Sequence, residues 1–333
     1  MKIGLAYDLK TSIIEQVHVD DALEEYDSPE TLDIIESAFR SRERAVVRLG
    51  GGEEFIDAVR REDVDIVFNI SEGRGSSRSR EAQVPAVLEM LGVPFTGSDP
   101  LCLAICLDKP VVKKLVKADG ILTPRWFTVG SEEDVEAVRW STLPFPMIVK
   151  PSYEGSSKGI RLTSVVHNIR EAEKEAMRII TDYRQPAMIE EFIDGDEVTV
   201  GVIGNNPPAI VGMMRIMPKT RVEHFVYSLE VKRDYVNLVD YESPVMLPGQ
   251  VCKKLESASL AVFKTLDCRD FARLDFRVDR NGTPFFIEIN PLPGLGAYSD
   301  LIIMAGRLGR SHESVINSVL EAALERYPQC VSV

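Results

Sequence analysis

The segment from Ala272 to Asn290, ARLDFRVDRNGTPFFIEIN, brings two acids, an amide and an arginine together. Its two alternating runs flank Asn281-Gly282, the strongest short-range signal for a tight hairpin. With that pair as a two-residue turn, Asp275 lies opposite Glu288 and Arg273 opposite Asn290. Strand side chains alternate faces, so these four project from one side. Leu274, Phe276, Val278, Phe285, Ile287 and Ile289 then form the core side. Facing carboxylates repel unless a cation or proton lies between them. With the Asn290 amide oxygen they make an all-oxygen set suited to magnesium bound to phosphates. Arg273 beside them can offset charge on a transferring phosphoryl group or a tetrahedral intermediate. On these residues alone, a metal–phosphate site and a solvated strand face are both open readings.

Pro151-Ser152-Tyr153-Glu154-Gly155-Ser156-Ser157-Lys158-Gly159 is a second candidate. Small residues let backbone N–H groups approach phosphate oxygens, and the hydroxyls add donors. It is not a Walker A loop, because the spacing differs. Lys150 ends the apolar run PMIVK directly before it, and Lys109 stands in CLDKP at a helix start. Glu190, Glu191 and Glu197 bracket Phe192, Ile193 and an Asp194-Gly195 turn. An apolar pair between acids can grip a flat base while a carboxylate bonds sugar hydroxyls. Each has a plain alternative: a surface turn, a solvated lysine, an ordinary strand end.

The elements that must position these groups are legible. KIGLAY and DIVFNI read as short strands, and Ser28-Pro29-Glu30 as an N-cap with proline at the first helical position, opening a helix through Phe39. A second helix runs from Gln83 to Leu91, ended by Gly92. This alternation predicts an open α/β unit with a largely parallel sheet. It lacks G-x-G-x-x-G, so no dinucleotide site is supported. Thr96-Gly97-Ser98-Asp99-Pro100 marks a boundary. Beyond it come PMIVK, a charged helix from Ile169 to about Tyr183 and the strand AMIEEF. The final third reads as strand-rich until a closing helix from about His312 to Arg326.

Composition narrows the classes. A net charge of −13 argues against a nucleic-acid partner, which needs a basic surface. No apolar run reaches the roughly 20 residues of a membrane helix, and MKIGLAYDL reads as a first strand rather than a secretory signal. Five irregularly spaced cysteines offer neither a disulfide framework nor a zinc pattern, which fits a reducing cytoplasm. Cys102 and Cys106, four apart on an apolar helix, read as buried thiols.

Taken together and in order, the motifs are far more specific than any one of them. DK at Asp108-Lys109, IVKP at Ile148 to Pro151, EGSSKG at Glu154 to Gly159, IEEFIDGDEVTV at Ile189 to Val200, RLDF at Arg273 to Phe276 and EINPLPG at Glu288 to Gly294 resemble the ATP-grasp superfamily. Within it, with LGVPFTGSD at Leu91 to Asp99, the chain is similar to the D-alanine–D-alanine ligase family. The resemblance implies an α/β protein of three-domain ATP-grasp architecture: a Rossmann-like open sheet over 1–97, then two α+β units over 98–190 and 191–333 that clamp ATP. It implies that Lys109 and Lys150 hold ATP phosphates under a loop containing Gly155, Ser156, Ser157 and Gly159. Glu190, Glu191 and Ile193 meet the adenine, and Glu197 the ribose. Asp275, Glu288 and Asn290 bind two magnesium ions, with manganese as a substitute. Arg273 stabilises the tetrahedral intermediate, Lys232 reaches the transferred phosphoryl group from a flap, Gly294 adds a backbone donor and Ser299 binds the second substrate's carboxylate. The implied reaction activates an acid as an acyl phosphate and joins it to an amine, releasing ADP and phosphate. The partners are small amino-acid-like molecules, and a homodimer formed through the N-terminal domains.

The departures from the family fall on the substrate side. Its glycine-rich stretch for the first D-alanine has no match in AYDLKTSIIEQV, and its histidine-glycine motif is replaced by NISEGRGSSRSREAQVP, Asn69 to Pro85. Arg233 stands where a tyrosine is usual, and Gly296 and Ala297 where hydroxyls are. Charge and position nominate Glu72, Arg74, Arg80 and Glu81 as contacts for a first substrate. Three functions are therefore weighed: a ligase with a D-alanyl-D-alanine-like product, a ligase for another acid and amine, and a non-catalytic nucleotide-binding protein. The last has no need of the complete acid–amide set.

Overall fold

The computed structural model describes residues 1–12 and 19–331. The last five residues, 13–17, of the unmatched stretch AYDLKTSIIEQV therefore lie outside the described residues. Three sheets organise the chain. Strands β1 (Lys2–Ala6), β2 (Ala45–Gly50) and β3 (Ile66–Asn69) form a parallel sheet in the order β2-β1-β3, as the strand–helix alternation predicts. Strands β4 (Trp126–Val129), β5 (Met147–Pro151), β6 (Val165–Val166) and β7 (Ala187–Glu191) form an antiparallel sheet in the order β4-β7-β5-β6. Strands β8 (Gly195–Ile203), β9 (Ala209–Pro218), β10 (Val239–Glu242), β11 (Phe271–Asp279) and β12 (Pro284–Asn290) make the third, antiparallel, in the order β10-β9-β8-β11-β12.

Helix starts follow their caps. The Ser28 hydroxyl accepts from the Thr31 N–H at the head of helix Pro29–Arg40, satisfying one of the donors a helix end leaves open. Leu32, Ile35 and Phe39 of this helix share a core with Val315, Ile316, Val319 and Leu320 of helix His312–Arg326. The chain's last long helix thus returns to its first. Asp270 ties the same regions together: it accepts from Gly97 N, from Asn205 and from Arg326. Cys102 and Cys106 are buried as expected, next to Cys268.

Two expectations need correction. The final third contains a helix of 17 residues, Gly249–Thr265, between β10 and β11. Val251, Leu255, Val262 and Phe263 give it a buried stripe at helical spacing. The hairpin is not closed by a two-residue turn either. Asp279 N–H donates to Thr283 O, leaving Arg280, Asn281 and Gly282 as a three-residue loop with Gly282 at φ 73°, the usual form with glycine in the left-handed region. A bulge after Asp275 absorbs the extra residue, so Phe276 pairs with Phe286 while Asp275 still pairs with Glu288 and Arg273 with Asn290. The bulge moves Phe286 into the core in place of Phe285, and turns Ile287 to the acid-bearing side.

Candidate active site

A cleft of about 830 Å³ opens between the second and third sheets. Ile148 of β5, Phe192 and Ile193 after β7, Ile216 of β9 and Ile287 of β12 supply apolar walls. Lys150, Ser156, Ser157, Glu190, Glu191, Glu197, Lys232, Arg273, Asp275 and Glu288 line the rest. Lys150 and Glu190 lie diagonally across β5 and β7, two strand positions apart in register and so on the same face, and their charges meet at 2.7 Å. Glu197 accepts from Arg277 at 3.1 Å and from Tyr227 N–H at 3.3 Å. Burial, helped by the Asp275 charge, raises its pKa despite Arg277. Glu191 pairs with Arg125 at 2.9 Å.

The acids of the hairpin occupy one wall. Asp275 accepts from Thr199 Oγ1 at 2.8 Å and from Arg273 at 2.9 Å. Burial raises its pKa, with the Glu288 charge adding to burial and Arg273 opposing both. Glu288 lies 3.3 Å from Lys109 Nζ. Burial works against its ionised form, but Lys109, Lys150 and Arg273 outweigh it and bring the carboxyl down to about 2. Asn290 sits at the strand end, its side-chain oxygen accepting from Leu292 N–H at 2.9 Å. It faces a small cavity shared with Lys109, Gly155 and Glu288. Lys109 is buried, not solvated, and also donates to the Glu154 carbonyl.

The Gly155–Gly159 loop divides its work. Ser156 and Ser157 have φ of 50° and 61°, a left-handed pair that turns successive N–H groups into a concavity suited to anions. These two N–H groups donate to no described residue. Gly155 N–H donates instead to Glu25 at 2.6 Å, and the Ser157 hydroxyl to Tyr227 O at 3.0 Å. Gly159 lines neither the cleft nor the small cavity beside Asn290, and its N–H donates to Asp21 at 2.9 Å. With φ of 73° and a space in which a Cβ would fall 2.3 Å from the Pro151 ring, it is a turn residue of the loop's base.

A second cavity of about 760 Å³ adjoins the cleft and shares Ser156, Lys232, Arg273 and Asp300 with it. Gly294 and Ser299 line it, beside Glu24, Asp27 and Glu72. A Cβ at Gly294 would lie 3.0 Å from Ser299 Oγ, so glycine permits that approach. Of the residues nominated for a first substrate, Glu72 lines this cavity and Glu81 the small one near Asn290. Arg74 pairs with Asp8 elsewhere, and Arg80 is locked between Glu25 and Glu154.

The sequence model of the family described as "D-ala D-ala ligase C-terminus" matches residues 115–321. A D-alanine–D-alanine ligase of Aquifex aeolicus is 35% identical over 256 residues, 77% of this chain and 81% of that protein. The chain belongs to the D-alanine–D-alanine ligase family. An uncharacterized protein of Sinorhizobium fredii, y4sG, is 36% identical over 266 residues, 79% of this chain and 75% of its own length. The crystal structure of the Bacillus anthracis D-alanine–D-alanine ligase complexed with ATP superimposes with a TM-score of 0.76 at 24% identity, covering 99% of each chain. That likeness establishes the ATP-grasp fold. As a member of this family the protein is an ATP-dependent ligase that forms carbon–nitrogen bonds.

The residues of this D-alanine–D-alanine ligase family member fit both groups its chemistry requires. Two N–H groups without a described partner, with Lys109 and Lys150 close by, suit a polyphosphate. Two facing carboxylates and an amide oxygen suit a hard divalent cation. Sequence reasoning missed Lys113, Thr199, Arg277, Asp300 and Glu25. Lys113 is fully buried and ion-pairs with Glu190, one helical turn beyond Lys109. Thr199 and Arg277 share the acid-bearing face, so strand alternation from Asp275 could have found Arg277. Asp300, 3.6 Å from Arg273, follows Ser299 directly. Glu25 reaches the loop from a segment with no local signal.

Proposed function

We propose that this ligase joins two amino-acid-like substrates, with a D-alanyl-D-alanine-type dipeptide as product, where the cleft meets the second cavity. One observation carries the reading: Ser156, Lys232, Arg273 and Asp300 border both spaces, so a carboxylate held there lies beside a nucleotide in the cleft. Lys109, Lys150 and the Ser156 and Ser157 N–H groups hold phosphates, with the Gly155 segment over them. The base lies among Ile148, Ile193 and Ile287 near Glu190 and Glu191, and Glu197, fixed by Arg277, takes the ribose hydroxyls. ATP supplies the phosphoryl group that makes a poor acylating agent reactive as an acyl phosphate. Asp275, Glu288 and Asn290 hold two magnesium ions, which supply charge neutralisation between phosphate and substrate oxygens.

The chain's own groups do the rest. Arg273, kept cationic by Asp275 and Asp300 against the effect of burial, and the Gly294 N–H stabilise the oxyanion of the tetrahedral intermediate. Lys232, its ammonium pushed down by burial, faces the phosphoryl group from helix Leu229–Arg233 and excludes water there. The Ser299 hydroxyl, not engaged in capping the helix it precedes, holds the amine substrate's carboxylate. A cytoplasmic homodimer rests on the family resemblance alone. A different acid or amine is favoured by Arg233, which is paired with Asp20 and Glu24 where the family has a tyrosine.

The test is phosphate release with ATP, magnesium and a panel of D- and L-amino acids, with product mass. Turnover with D-alanine alone supports the dipeptide reading; turnover only with another acid or amine moves the substrate. Absence of turnover with every substrate defeats the ligase reading for this cavity.

A further inference from the structure

The second cavity is lined by carboxyl groups that the reaction described above does not use. Of its carboxylates, Glu25 is neutralised by Arg80 and Lys158, Glu24 by Arg233, and Asp300 by Arg273. The side-chain carboxyls of Asp27 and Glu72 have no hydrogen-bond or ion-pair partner among the described residues, yet both residues line the cavity. Asp27 is only 9% exposed. An acid so enclosed without a partner is rare in folded proteins unless something else supplies the charge. The cations nearby do not: Arg233 and Arg273 are already paired, and the acids that bear on Lys232 are Asp300, Asp275 and Glu24. Lys10 alone bears on Asp27, and only as a partial offset to burial and to the Asp8 charge, which together push the carboxyl up to about 7. Glu72 is raised as well, by burial first and then by Glu81 and Glu25.

We infer that the cavity takes an amino acid carrying a second positive charge, an ammonium or guanidinium group at the end of its side chain, held by Asp27 and Glu72. This rests on the reading that the cavity holds the amino-acid substrate. A substrate whose carboxylate lies beside Arg273 and Lys232, which border both spaces, would reach with its side chain toward Asp27 and Glu72, which line this cavity and not the cleft. An organic cation suits them better than a metal ion, because no three carboxylates converge here within reach of one ion among the described residues. A neutral side chain such as that of alanine leaves both acids unanswered, which is how a site discriminates against it.

The experiment compares lysine and ornithine, as both enantiomers, with norleucine and alanine, by ATP-dependent phosphate release and by calorimetric binding to the full chain. The basic amino acids are expected to bind and turn over at least about tenfold better than norleucine, their uncharged counterpart. Asp27→Asn, and separately Glu72→Gln, should raise KM for the basic substrate by a similar factor and leave kcat nearly unchanged, while binding of norleucine improves. Turnover of alanine or norleucine equal to that of lysine overturns this inference and leaves the ligase reading standing. Phosphate release with none of these four but with another acid or amine also overturns this inference, and none with any substrate of the wider panel defeats the ligase reading instead. Calorimetry still decides then: preferential binding of lysine, abolished by either variant, upholds the cation site, and no preference refutes it.

Discussion

Replacing Glu190 with glutamine should destabilise the protein by about 3–5 kcal/mol near neutral pH, and the loss should shrink as pH rises. Glu190 is 1% exposed and pairs with both Lys113 and Lys150. Burial works to raise its pKa, but the two ammonium groups outweigh it and hold the carboxyl below the usual range. Burial draws Lys113 down from 10.5 to about 8, against the pull of Glu190. That difference of about 2.5 units corresponds to about 3 kcal/mol of stability withheld while the lysine is charged. Between pH 8 and 10.5 the unfolded chain binds more protons than the folded one, so this group's contribution to stability rises with pH through that window. Without Glu190 the folded pKa of Lys113 falls further, and the window opens at lower pH. The gap between variant and wild type is therefore widest near roughly pH 6 and narrows toward roughly pH 9, where Lys113 is largely neutral in both. Thermal melts across that range measure it. Trp126, whose ring centroid is 6.0 Å from Lys113 Nζ, reports the proton by fluorescence. A variant as stable as wild type at neutral pH, or a gap that does not change with pH, would refute the reasoning.

Three further outcomes are expected. Glu288→Gln should reduce turnover at least about a hundredfold with a normal melting profile, and near-normal rates would remove Glu288 from the metal set. Asp270→Ala, which strands the Arg326 guanidinium and frees Gly97 N–H and Asn205, should cost about 3–5 kcal/mol in denaturant titration; a loss under about 1 kcal/mol would show that this link between the ends of the chain is dispensable. Gly159→Ala meets both a left-handed backbone and the Pro151 ring, and should cost about 1–3 kcal/mol and weaken nucleotide binding through the displaced loop. Unchanged affinity with a lowered melting temperature would confine Gly159 to stability.

The amino-acid sequence by itself determined the local pieces of this protein, because caps, alternation and turn residues act over a few positions. Ser28, Gly92 and the apolar stripe of His312–Arg326 mark their helices without help. The ordered motifs carried the ATP-grasp architecture and most of the cleft. The opposition of Asp275 and Glu288 was legible too, although by a turn one residue too short, an error offset by the bulge after Asp275. Bulges answer to packing against neighbouring elements, here the burial of Phe286 with helix Gly249–Thr265, and no residue in the hairpin announces one. Only the tertiary structure decided which charges are answered. Lys113 meets Glu190 across 77 positions of chain, and Glu25 meets the loop at Gly155 across 130. The carboxyls of Asp27 and Glu72 find no partner among the described residues. Whether a carboxylate is solvated, paired or waiting for a ligand depends on burial and on neighbours distant in sequence, and these exist only once the sheets have come together.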